Sequence, residues 1–214
     1  GILRRDDWKP WGRNKELPGL EYILQAYDTA FEEGEQNDFS ARITWGVFKR
    51  ASDNKLCVLM LERMKERLTF SKLLENALQA YNEYQPDRVI IEKAASGAPL
   101  IQEMRKRGIP VSPIRPVGSK IARANAASVV LEQGVVYYPE GMRWAEDVIE
   151  ECAAFPNGQH DDVPDVVAHS LVWFRRTFLL ETPDDVEDED DDDKFDDAPK
   201  RTYAVRRTRM PQAA

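Results

Sequence analysis

The chain has 214 residues, with 30 basic and 38 acidic side chains and a formal charge of −8. That length suits one domain with a real core plus a tail. No apolar run approaches the roughly 20 residues that cross a bilayer, and no signal-peptide pattern opens the chain, so no membrane partner is expected. Cys57 and Cys152 lie in apolar surroundings with no CxxC pairing and read as reduced core residues of an intracellular protein. With only two histidines, a zinc site is not expected. The charge is concentrated at one end. Eleven acids stand against Lys194 between Asp184 and Asp197, and Lys200 to Arg209 holds five basic residues and no acid, which leaves −3 for the body. Residues 182–214 therefore read as a disordered acidic, then basic, tail. The acidic run suits a solvated tail or a mimic of nucleic-acid phosphate. The basic end suits a DNA or partner contact, or a flexible charged terminus.

Residues 1–18 are polar, with Trp8, Trp11 and two prolines, and read as a linker or lead-in segment ahead of a domain over 19–181. Residues 22–31 form an apolar-rich strand with Asp28 embedded in it, and an acid buried in a strand needs a partner or a metal. A turn-rich acidic loop follows over 32–40. Two further strands, 43–49 and 56–61, are joined through Ser52-Asp53-Asn54-Lys55, and three successive strands with short connections make an antiparallel meander. The period then becomes helical over 69–84, with Thr69 as a cap. Residues 88–93 give a short strand ending in Glu92, and strand-helix-strand implies a right-handed crossover to a parallel neighbour. A helix through about Arg107, a strand over 109–116, a helix over 118–133, an extended piece over 134–139 and a helix over 144–155 come next. The last helix ends near Leu180. No Gly-x-x-x-x-Gly-Lys-[Ser/Thr] loop is present, so ATP hydrolysis by this chain is not expected.

The last helix opens with His160-Asp161-Asp162-Val163-Pro164-Asp165. Two readings stand. In the first, Asp161 or Asp162 caps the helix, Pro164 fills the first turn and Asp165 favours the positive end of the dipole. In the second, three carboxylates in five positions call for a divalent counter-ion with hard oxygen ligands. The predicted topology can set the strands bearing Asp28 and Glu92 side by side and bring the last helix's first turn to them. Such a cluster suits two Mg²⁺ or Mn²⁺ ions and phosphodiester hydrolysis.

The arrangement resembles the ribonuclease-H-like nucleases, and more closely the C-terminal nuclease domain of phage terminase large subunits. The likeness is carried by Tyr27-Asp28-Thr29-Ala30, Asp38-Phe39-Ser40, Trp45-Gly46, Ile90-Ile91-Glu92-Lys93 and Ser96-Gly97. It continues through Lys120 and Arg123, Glu132-Gln133-Gly134-Val135-Val136, Pro139, Phe155-Pro156 and His160-Asp161-Asp162-x-x-Asp165, over about residues 20–180. The resemblance implies an α/β ribonuclease-H-like fold: a mixed sheet, antiparallel meander then parallel strands, flanked by helices. It implies Asp28, Glu92 and Asp162 as catalytic residues, and Asp28, Glu92, Asp161, Asp162 and Asp165 as ligands of two Mg²⁺ or Mn²⁺ ions, with Asp162 the main ligand of the last group. Lys120 and Arg123, one turn apart on a helix, suit DNA phosphates. So does Lys93, although strand alternation can also turn it to the other face. Arg105, Lys106, Arg107 and Arg115 lie near them in sequence. His160 reads as a residue beside the ligands or in an exposed turn, and His169 as a satisfied helix residue.

The implied activity is metal-dependent cleavage of double-stranded viral DNA concatemers during packaging, in the cytoplasm of an infected bacterium. The implied partners are duplex DNA, a terminase ATPase domain lying outside this sequence, a small subunit and a portal. Two alternatives are a structure-selective nuclease of the same fold, such as a Holliday-junction resolvase, and a module that mainly docks on portal or small subunit.

Overall fold

A computed structural model describes residues 1–30, 39–94, 96–158 and 160–178. The expected loop over 32–40 falls largely, and the acidic and basic tail wholly, outside the described residues. Within them, seven strands form one sheet: β1 (Lys9–Trp11), β2 (Leu20–Asp28), β3 (Ser40–Lys49), β4 (Leu56–Glu66), β5 (Arg88–Glu92), β6 (Val111–Ile114) and β7 (Val136–Pro139). Their order across the sheet is β1-β7-β4-β3-β2-β5-β6. The helices are α1 (Phe70–Tyr84), α2 (Gly97–Lys106), α3 (Lys120–Glu132), α4 (Arg143–Ala154) and α5 (Asp162–Phe178). None is long and apolar enough to cross a membrane.

The expected meander is present. β2 pairs antiparallel with β3, and β3 antiparallel with β4. β5 then lies parallel beside β2, with β6 parallel beyond it. β4 therefore runs in the same direction as β2, so the carboxyl ends of β2, β4 and β5 meet at one edge of the sheet. The fold is the mixed, helix-flanked sheet, antiparallel meander then parallel strands, that the resemblance implied.

Successive strand residues alternate between two apolar layers. Ala26 and Ile90 belong to the larger core under α3, α4 and α5, while Tyr27, Val89 and Ile91 belong to the smaller one under α1 and α2. α5 is buried along most of its length, which matches a helix that is apolar on nearly every side.

Three details depart from the sequence-based picture. The polar lead-in contributes a strand, β1, which pairs with β7, and Leu3 and Trp8 are buried in the larger core. Arg5 pairs with Glu146 and Glu150 of α4, tying the preceding 3-10 turn down. β4 runs five residues past its expected end because Glu62 to Glu66 continue to pair with β3, beyond a bulge between Thr44 and Trp45. The charges there are absorbed: Arg42 binds both Glu62 oxygens at 2.7 and 3.1 Å. Finally, Thr69 makes no side-chain cap to α1, whereas the Ser119 side chain accepts a hydrogen bond from the Ala122 amide at the start of α3.

Candidate active site

Asp28 is the last residue of β2 and Glu92 the last of β5. Tyr27 is paired with Ile91 in the register of these parallel strands, so the two acids follow as neighbours, one step further on. Alternation puts Asp28 on the side of Ala26 and Glu92 on the side of Ile90, the face covered by α5. Just past Asp28 the chain is held on both flanks. The Ser96 hydroxyl donates to the Thr29 carbonyl, and Ser40 accepts from the Ala30 amide and donates to its carbonyl. Gly97 completes the arrangement: a Cβ there would stand 2.0 Å from the Glu92 carbonyl oxygen, so only glycine lets α2 begin this close to β5.

α5 brings the third group. Asp161 accepts the Asp165 amide on its backbone carbonyl, while its carboxylate binds Lys120 rather than capping the helix. Asp165 is buried, and its two oxygens meet Lys120 at 2.7 Å and Arg123 at 3.2 Å. Asp162 stands 3.9 Å from Lys65, which also binds Glu151 of α4 at 2.8 Å.

The electrostatics show how closely these acids are coupled. Burial first, then Glu92, Asp165 and Asp162, push the Asp28 carboxyl up to about 8, against a downward pull from Lys120. Glu92 is raised by burial and by Asp165, opposed by Arg123 and Lys120. Burial also raises Asp162, opposed by Lys65. Lys120 is raised despite its own desolvation, because Asp161 and Asp165 hold it charged. Burial is the larger cause at Asp28, and the neighbouring carboxylates add to it.

The donor set suits a hard divalent cation: oxygen ligands from three separate elements, crowded enough that one retains its proton. The cluster is not a finished cage. Among the described residues, no group of three or more Asp, Glu, His or Cys side chains converges as ready ligands. The Asp165 oxygens are turned instead to Lys120 and Arg123.

The remaining sequence candidates separate. Lys120 and Arg123 lie at the acids, bound to Asp165. Lys93 follows Glu92 and is exposed, and alternation turns it toward the α1–α2 side. Arg105 donates to the Val111 carbonyl, and Lys106 and Arg107 bind Glu103, so these three serve α2 and its link to β6. His160 is exposed and packs edge-on against Phe39, with ring centroids 5.3 Å apart.

Three features were missed. His169 is not a satisfied helix residue: among the described residues both buried ring nitrogens lack a hydrogen-bond partner, and Nε2 lies 3.8 Å from Glu92. Its place four residues after Asp165 was the available signal. Lys65 and Arg67 both lie over the Phe39 ring, at 5.0 and 4.4 Å from its centroid, beside Asp162. Lys65 lies on the part of β4 beyond its expected end, and Arg67 follows directly after that strand.

The terminase RNaseH-like domain family matches residues 25–173 of the chain. Among solved structures, the large terminase nuclease from thermophilic phage G20c with bound zinc is similar at a TM-score of 0.53 and 18% identity, covering 80% of this chain and 96% of that one. The same nuclease with bound magnesium is similar at a TM-score of 0.50 and 16% identity, with 80% and 96% covered. The large terminase from thermophilic bacteriophage D6E in complex with ADP gives a TM-score of 0.59 at 14% identity, covering 84% of this chain and 44% of that one. At these identities the likeness concerns the fold. No curated protein matches.

Proposed function

Because this chain belongs to the terminase RNaseH-like domain family, we propose that it is a divalent-metal-dependent endonuclease that cuts double-stranded viral DNA during genome packaging. The observation that carries this reading is the placement of Asp28 at the end of β2, Glu92 beside it at the end of β5, and Asp162 and Asp165 in the first turn of α5. Buried carboxylates brought together from separate elements, with the Asp28 carboxyl raised, are the arrangement expected of a functional site.

In this reading Asp28, Glu92 and Asp162 are the catalytic ligands, with Asp161 and Asp165 completing the set for two Mg²⁺ or Mn²⁺ ions. The ions would supply an activated water and stabilise the departing 3′ oxygen. To hold a cation Asp28 would have to be ionised, so binding would release a proton. Lys120 and Arg123 bind Asp165 and are the cations best placed to take a DNA phosphate once the carboxylates have another counter-charge. Phosphate contacts carry no base information, so weak sequence preference is expected. The G20c nuclease was solved with zinc and with magnesium, which supports a divalent ion as the cofactor here. The chain spans 44% of the D6E large terminase, a protein solved with ADP, which supports an ATPase domain as its working partner. A small subunit, a portal and the cytoplasm of an infected bacterium complete the proposed setting. So does the proposed division of the chain into a nuclease domain over 19–181, to which the lead-in over 1–18 adds β1 and the core residues Leu3 and Trp8, and a charged tail over 182–214.

The test is nicking and linearisation of supercoiled plasmid. Cleavage is expected with Mn²⁺ or Mg²⁺, none with chelator, and a loss of at least about 100-fold for Asp28→Asn, comparable to removing a principal electrostatic group. Cutting that persists in chelator, or in the Asp28→Asn variant, would remove the reading.

A further inference from the structure

His169 lies outside the set of acids and has no assigned role. It is 7% exposed, and among the described residues neither Nδ1 nor Nε2 has a hydrogen-bond partner. Buried polar atoms are paired in the great majority of cases, and an unpaired ring nitrogen costs the folded state its full desolvation penalty. The ring is packed on α5 one turn beyond Asp165. The charged groups facing it are Glu92 from β5, Lys120 and Arg123 from α3, and Asp165 from its own helix. Two of these are already engaged with a third: Asp165 is bound by both Lys120 and Arg123. Glu92, by contrast, accepts no side-chain hydrogen bond among the described residues, and its Oε2 lies 3.8 Å from Nε2. The separation exceeds hydrogen-bond length by less than about 1 Å.

We propose that His169 is a positioning residue whose Nε2–H donates to Glu92 Oε2, holding the carboxylate so that its other oxygen faces a bound divalent cation. The inference deepens the metal-dependent reading above and rests on it, since Glu92 is a ligand there. A neutral imidazole has one N–H to give, and a carboxylate is its natural acceptor. Partners of this kind orient metal ligands, and their hydrogen bonds tighten when the site is filled. Of the groups facing Glu92, only His169 is a buried neutral donor. Lys120 and Arg123 are cations that a metal ion would repel.

Calorimetric titration of the full chain with Mn²⁺ tests this, using the parent, His169→Phe, His169→Gln and Asp28→Asn, with circular dichroism to check folding. His169→Phe keeps the ring shape and loses the donor, so Mn²⁺ should bind roughly ten-fold or more weakly, while His169→Gln, which keeps a donor, stays within about three-fold of the parent. Equal affinity for His169→Phe and the parent, or a Gln variant as weak as the Phe variant, would overturn the proposal. So would ¹⁴N coupling of the imidazole to bound Mn²⁺, which would make His169 a ligand. If His169→Phe fails to fold, ¹⁵N resonances of the parent with Mg²⁺ still decide. Nε2–H is the expected tautomer, and Nδ1–H overturns it. Loss of binding in Asp28→Asn with full binding in His169→Phe removes only this proposal. A parent that binds no Mn²⁺, or binds it as Asp28→Asn does, removes the metal reading and this proposal with it.

Discussion

At Asp28, burial and the nearby Glu92, Asp165 and Asp162 outweigh the attraction of Lys120, so the carboxyl ionises near 8 instead of the ordinary 3.8. The sign of the resulting stability change follows from proton counting. Between those two values the metal-free folded protein holds a proton that the unfolded chain has lost, so raising the pH favours unfolding. His169 works the other way at lower pH. Burial takes it down from 6.5 to about 4, so in that interval the unfolded chain binds the extra proton and raising the pH favours folding. The clean window for Asp28 is therefore about 6.5 to 8, set by these two groups. In chelator, the parent's melting temperature should fall across that window and the Asp28→Asn variant should fall less. Equal slopes for the two proteins would contradict the assignment.

Among the elements, the meander and the β2–β5 pairing carry the site, and they were legible because strands and helices differ in hydrophobic period. The last helix was equally plain from its acidic start and apolar continuation. The end of β4 was not. Glu62, Arg63, Lys65 and Glu66 read as a charged exit from the sheet, and only long-range pairing with Arg42 and Thr44 makes that stretch a strand. β1 was hidden for a related reason: three residues, one of them proline, have no period to read, and it is pairing with β7 that makes them a strand. His169 shows the limit at the site itself, since local spacing cannot reveal that a buried ring lacks partners.

The Arg42 network gives a test at this scale. Arg42 is buried and joins Glu62, Asn76 of α1 and Tyr27, so Arg42→Met strands the Glu62 carboxylate and should cost ~3–5 kcal/mol in urea unfolding. Adding Glu62→Leu should restore most of that loss. A double variant no more stable than Arg42→Met would show that the pair is not the source of the cost.

Across the whole molecule, acids distant in the sequence meet at one sheet edge because two parallel strands end there and a terminal helix starts beside them. Basic groups stand on both sides: Lys65 and Arg67 at the end of β4, Lys120 and Arg123 on α3. In the proposed function, an external cation would compete with these internal ion pairs for the carboxylates. Anomalous scattering from crystals soaked in Mn²⁺ examines that balance most directly. The expected result is a peak between Asp28, Glu92 and the first turn of α5, with Lys120 drawn away from Asp165. A protein that binds no Mn²⁺ there, or binds it only at a site remote from Asp28 and Glu92, would contradict the account.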